Sequence, residues 1–110
     1  MKRDINLFIG DILESIRAIE EYSANIDKEE LEKSRMIQSA IIREIEIIGE
    51  AVKNIPQNVK EKHKEIEWKK ISGMRDVIVH GYFGVDLDAV WNVIKRDLPI
   101  LKKQIEKIKI

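Results

Sequence analysis

The chain has 110 residues, 36% of them charged and 5% aromatic, with no cysteine, so it holds one domain with an aliphatic core and excludes both disulfides and thiolate chemistry. Its 20 basic and 20 acidic residues cancel, which argues against a general polyanion-binding protein. No apolar run reaches membrane-spanning length, and Lys2-Arg3-Asp4 leads into an amphipathic pattern rather than the hydrophobic region of a signal peptide; a cytoplasmic protein without a membrane partner is expected.

Residues Ile5, Phe8, Ile9, Ile12, Ile16 and Ile19 recur at helical spacing, which predicts a first helix over residues 3–23. Asn25-Ile26-Asp27 ends it, and Asp27 followed by Glu30 has the pattern of a capping box. A second helix is predicted from there to about Asn54, with its apolar stripe on Ile37, Ala40, Ile41, Ile45, Ile48 and Val52. Ile42 and Ile47 fall outside that stripe, as expected of a helix central in a bundle or packed on another subunit. Gly49 costs about 1 kcal/mol relative to alanine inside a helix, and the expected compensation is close approach of another helix. Pro56 ends the element, and the polar stretch over residues 57–65 predicts a short surface helix or loop, with His63 as a surface residue.

A further helix is predicted from Trp68 to His80, burying Trp68, Ile71, Met74 and Ile78, with Gly81-Tyr82-Phe83-Gly84 as the turn that ends it. Asp86 can cap a last helix, where Val90, Trp91, Ile94, Leu98, Leu101 and Ile105 recur, and Pro99 is expected to kink it. No repeat and no strand pattern is evident. The expected fold is a single all-α domain over residues 1–110, an up-and-down bundle of four main helices with a short connecting helix.

The chemistry concentrates between residues 71 and 86, where Arg75, Asp76, His80 and Tyr82 crowd around a glycine break. On an unbroken helix Asp76 and His80 would share a face, whereas Arg75 and His80 would diverge by about 140°. A glycine turn at residue 81 would leave His80 and Tyr82 reachable at a helix end. From residue 66 to 110 there are nine basic against six acidic residues, so a slight basic excess lies in the part that carries these groups. Its bland reading is a solvated helical face, its sharper one a phosphate footprint.

The pattern Arg75, four residues, His80, any residue, Tyr82 resembles the Arg-x4-His-x-Tyr motif of the HepT-like toxins of the HEPN superfamily. The polar residue after the arginine, Asp76, fits the same pattern. Arg43-Glu44-Ile45-Glu46-Ile47-Ile48-Gly49-Glu50-Ala51 resembles the family's second helix and Asp97-Leu98-Pro99-Ile100-Leu101 its last. The resemblance implies an endoribonuclease toxin, a homodimer whose motifs face each other, and a cognate minimal nucleotidyltransferase antitoxin that in related modules adenylylates the motif tyrosine, Tyr82 here.

The residue chemistry suits that expectation. An imidazole with an ordinary pKa of about 6.5 can give or take a proton, and a guanidinium fork can hold two phosphate oxygens. Metal-independent RNA cleavage would then use His80 and Arg75 as catalytic groups, with Asp76 orienting the imidazole and Tyr82 bonding a phosphate or stacking on a base. One chain offers a single well-placed histidine where the reaction wants an acid and a base, and a two-fold pair would supply both. Glu46 and Glu50 could be read as a metal pair, but no third ligand stands at compatible spacing, so neither a metal nor a cofactor is expected. The competing reading is a non-catalytic helical module that binds a nucleotidyltransferase or a nucleotide, which the balanced charge and scarce aromatics favour; a purely structural dimer gives no reason for the polar cluster at residues 75–82.

Overall fold

The computed structural model describes residues 4–80 and 84–108, and the elements among them are α1 (Ile5–Ser23), α2 (Lys28–Lys33), α3 (Arg35–Lys53), α4 (Gln57–Lys62), α5 (Trp68–Ser72), α6 (Met74–Ile78), α7 (Leu87–Asn92), a π-helical turn (Val93–Asp97) and α8 (Leu98–Glu106). Among the described residues the regular structure is helical apart from one isolated antiparallel bridge between Val79 and Val85. None of these helices is long and apolar enough to cross a membrane.

The broadest interface joins α1 to α3, as the two long stripes dictate. Ile12, Ile16 and Ile19 of α1 and Ile41, Ile45, Ile48 and Val52 of α3 are almost wholly withdrawn from solvent in one apolar cluster, with Ile78, Val90, Leu98, Leu101 and Ile105. Each such side chain contributes roughly 1.5–3 kcal/mol by leaving water. Helix α3 also meets α2, α5 and α6, so it is central, and Ile42 and Ile47 off its main stripe are half-buried.

The helix expected from Asp27 onward is two helices. Asp27 does make a reciprocal capping box with Glu30, but Ser34 adopts an extended conformation between α2 and α3 and its hydroxyl accepts from the Ile37 amide at 3.2 Å. The Gln38 side-chain amide then donates to the carbonyls of Leu31, 2.9 Å away, and Glu32, 3.2 Å away. These bonds satisfy acceptors that the end of α2 leaves open. At the other end of α3, Pro56 caps the short surface helix α4.

The helix expected over residues 68–80 is also divided. Ser72-Gly73 is a small-residue pair of the kind that breaks helices: the Ser72 hydroxyl donates to the Lys69 carbonyl at 3.0 Å, and Gly73 ends α5 and opens α6. The second segment stops at Ile78, two residues short of His80, because Val79 takes an extended conformation and pairs with Val85. Asp86 N donates to Ile78 O at 2.8 Å and His80 N to Gly84 O at 2.9 Å. Gly84 has φ of +95°, which only glycine adopts readily. Gly81, Tyr82 and Phe83, expected to form the turn, lie outside the described residues.

Trp68 and Trp91, expected in the core, are half-buried. An indole N–H needs an acceptor, and Trp68 Nε1 donates to the His63 carbonyl at 3.0 Å, while the Lys95 ammonium lies 4.8 Å from the Trp91 ring centroid. His63 is itself half-buried rather than wholly at the surface. Asp86 caps α7 by accepting from the Ala89 amide. Pro99 falls in the first turn of α8, directly after the π turn, where the Leu98 amide donates to the Val93 carbonyl. A widened turn accommodates a proline ring that would clash with a regular preceding turn.

The close approach expected at Gly49 is present. A Cβ built there would lie 3.3 Å from the Ser72 carbonyl oxygen, so the absent side chain lets α5 rest on the backbone of α3. Gly49→Val is therefore expected to lower the unfolding free energy by about 1–3 kcal/mol through overpacking, read as a lower urea midpoint at unchanged slope.

Candidate functional site

Docking of α5 on α3 fixes where α6 begins, and α6 carries Arg75 and Asp76. Both side chains line an open groove of about 600 Å³, walled on the α3 side by Arg43, Glu46, Gly49 and Glu50 and reaching Phe8 and Asp11 of α1. Arg75 Nε lies 3.5 Å from Glu46 Oε2, and Arg75 Nη1 lies 3.7 Å from Asp76 Oδ1. The guanidinium is thus held between a carboxylate of the central helix and its own neighbour. With the Arg75 and Glu46 side chains 46% and 40% exposed, the pair is screened and contributes at most about 1 kcal/mol to stability. Its larger effect is on position, since it keeps the planar fork at the groove wall.

His80 does not line this groove. It is exposed, past the end of α6, held through its backbone to Gly84. The shared face that four-residue spacing gives Asp76 and His80 on an unbroken helix is therefore not the geometry here. The carboxylate of Asp76 meets Arg75, and the side chain of His80 has no hydrogen bond or ion pair with a described residue. Tyr82 lies outside the described residues. Within one chain the structure brings together Arg75 and Asp76 and leaves the exposed His80 outside the lining of their groove.

Glu46, in the sequence only half of a candidate metal pair, is a groove residue that holds Arg75. Its partner is 29 positions away in the chain, and no local spacing signals such a pair. Glu50, the other half of the candidate metal pair, meets Lys53 at 3.6 Å. Among the described residues no three His, Asp or Glu side chains group as a metal site would require.

Residues 12–108 match the family model described as "Ribonuclease HepT-like". The chain is 44% identical over 109 residues to a protein of Thermococcus cleftensis named "Probable ribonuclease HepT", covering 99% of each. It is 45% identical over 107 residues to a "Putative RNase" of Methanocaldococcus jannaschii, covering 97% of this chain and 88% of that one. A "Gamma-glutamylcyclotransferase and putative RNase" of the same organism is 46% identical over 108 residues, 98% of this chain, and the chain spans about half, 49%, of that relative's length. No solved structure matches the chain. With a model match over nearly its whole length and relatives above 40% identity end to end, the chain belongs to the HepT-like ribonuclease family.

Proposed function

We propose that this chain is a metal-independent endoribonuclease, the cytoplasmic toxin of a module with a minimal nucleotidyltransferase antitoxin, acting as a homodimer. The observation that carries the reading is Arg75, tethered by Glu46 at the wall of an open groove on a chain whose family is ribonuclease-like. A fixed guanidinium at the edge of a cleft is what recognition of a phosphodiester requires: two parallel N–H donors matched to two phosphate oxygens, with permanent charge.

In the proposed reaction the 2′-hydroxyl oxygen of the substrate forms a bond to the adjacent phosphorus as the bond from phosphorus to the 5′ oxygen breaks. His80 of one protomer takes the 2′ proton, and His80 of the partner subunit gives a proton to the departing 5′ oxygen. Arg75 stabilises the charge that builds on the non-bridging oxygens. One chain offers a single well-placed imidazole, and His80 does not line the groove of Arg75; pairing of two chains supplies both the acid and the base in this reading. Asp76 serves by holding Arg75 rather than by orienting the imidazole, since Arg75 is its neighbour. Tyr82 contacts the RNA and is the residue that the antitoxin adenylylates; a nucleotide attached there would bring its own phosphate to the arginine and block the cleft.

Purified protein is expected to cut single-stranded RNA in the presence of a chelator, with Arg75→Ala slower by about 10²–10³-fold and His80→Ala by about 10²–10⁴-fold; cleavage equal to the wild type in both variants would refute the assignment. Glu46→Gln should leave the urea midpoint within the equivalent of about 1 kcal/mol and slow cleavage by roughly tenfold, because the charge of Arg75 survives but its placement loosens. Mass spectrometry of protein co-expressed with its nucleotidyltransferase should show adenylyl additions that disappear in Tyr82→Phe; persistence of the additions would place the modification elsewhere.

A further inference from the structure

A second open groove, about 640 Å³, runs between α4 and α5 and is lined by Lys60, Lys64, Lys69 and Lys70 around Trp68. We propose that this groove is a binding track for single-stranded RNA, which draws the strand in and feeds it to Arg75; the proposal rests on the ribonuclease reading above.

Charge supports it first. Four lysines line the groove against two carboxylates, Glu61 and Glu67. Among the described residues Lys60, Lys64 and Lys69 make no ion pair, while Lys70 is shared between Glu67 and Asp97 at 3.9 Å each. The Arg75 groove is different: its cations, Arg43, Lys53 and Arg75, stand among four carboxylates, Asp11, Glu46, Glu50 and Asp76. A polyanion approaching that groove alone meets a balance slightly against it, so the attraction must come from nearby, within a screening length of about 8 Å at physiological salt. The lysine groove is the adjacent source, because Ser72 lines both. Lys69 and Arg75 are six residues apart across the Ser72-Gly73 break, and even a fully extended chain would separate them by only about 20 Å.

Trp68 supplies the second argument. Proteins that hold single strands without reading sequence combine lysines along the backbone path with an aromatic ring on which a base stacks. The indole here is half-buried, and its N–H is anchored to the His63 carbonyl, so the ring is already held in the groove before a base arrives. Neither α4 nor α5 alone makes this combination. The connector between them, closed by the Trp68 Nε1 bond to the His63 carbonyl, brings it together.

The test is fluorescence anisotropy with a 2′-O-methyl oligoribonucleotide, which cannot undergo attack by its own 2′ oxygen, titrated into the wild type and into Lys60→Gln/Lys64→Gln/Lys69→Gln. The triple variant should bind at least tenfold more weakly near 0.1 M salt, and its plot of log affinity against log salt should be shallower by about 2, since each phosphate contact on a single strand contributes about 0.7 to the slope. It should cut a dinucleotide, too short to span both grooves, as fast as the wild type. In a Trp91→Phe chain, where Trp68 is the one remaining tryptophan, saturation with the oligonucleotide should quench the fluorescence. Equal affinity and slope in the triple variant, or lost affinity with an unchanged slope, would overturn the track while leaving the nuclease intact. Protein that binds with these salt slopes but cuts nothing would overturn the nuclease reading and keep the track.

Discussion

The site depends on one close approach: the bare backbone of Gly49 in the central helix against the Ser72 carbonyl. A Cβ there would press on that carbonyl, and a branched side chain would push α5 off α3, and with it the start of α6. Because Ser72-Gly73 breaks the helix immediately afterward, the direction of α6 is set within a few residues of that contact. Arg75 then meets Glu46, one turn before Gly49 on the same helix. A glycine that costs helix propensity is therefore what lets a guanidinium and its anchoring carboxylate share a groove wall.

The short elements on either side of that contact serve placement more than stability. The long stripes of α1 and α3 and the apolar face of α8 supply the buried area, whereas α4, α5 and α6 have five or six residues each. Isolated helices of that length do not persist in water, so their geometry is inherited from the core beneath them. On that frame the molecule presents two unlike surfaces that meet at Ser72. One is a charge-balanced groove where an arginine is held in place, and the other is a lysine-lined groove with a tethered indole. Balanced net charge thus coexists with a locally basic groove, because the compensating carboxylates are distributed unevenly.

Much of this was legible in the sequence. The stripes of α1, α3 and α8, the capping box at Asp27 and the cap at Asp86 are local signals, and a glycine inside an apolar helix flags a close approach at Gly49 without naming Ser72 as its partner. The divisions at Ser34 and Gly73 were not read. At Gly73 the apolar positions Ile71, Met74 and Ile78 continue at helical spacing through the break, because both segments bury the same side. At Ser34 the interruption is stabilised by Gln38, whose side chain must reach back to α2. The early end of α6 follows from Val79 pairing with Val85, a tertiary choice that overrides helical spacing and takes His80 off the face that carries Asp76. The Arg75–Glu46 pair and the lysine groove both join separate elements, and periodicity along one element cannot announce them.

In the proposed reaction, RNA phosphate is held at the wall where α3, α5 and α6 meet. Backbone amide shift mapping of the isotopically labelled protein with a saturating 2′-O-methyl oligoribonucleotide tests it most directly. The largest changes should fall at Gly49, Ser72 and Arg75, with the Arg75 side-chain Nε–H moving with them; changes confined to other surfaces, with those three positions undisturbed, would contradict it.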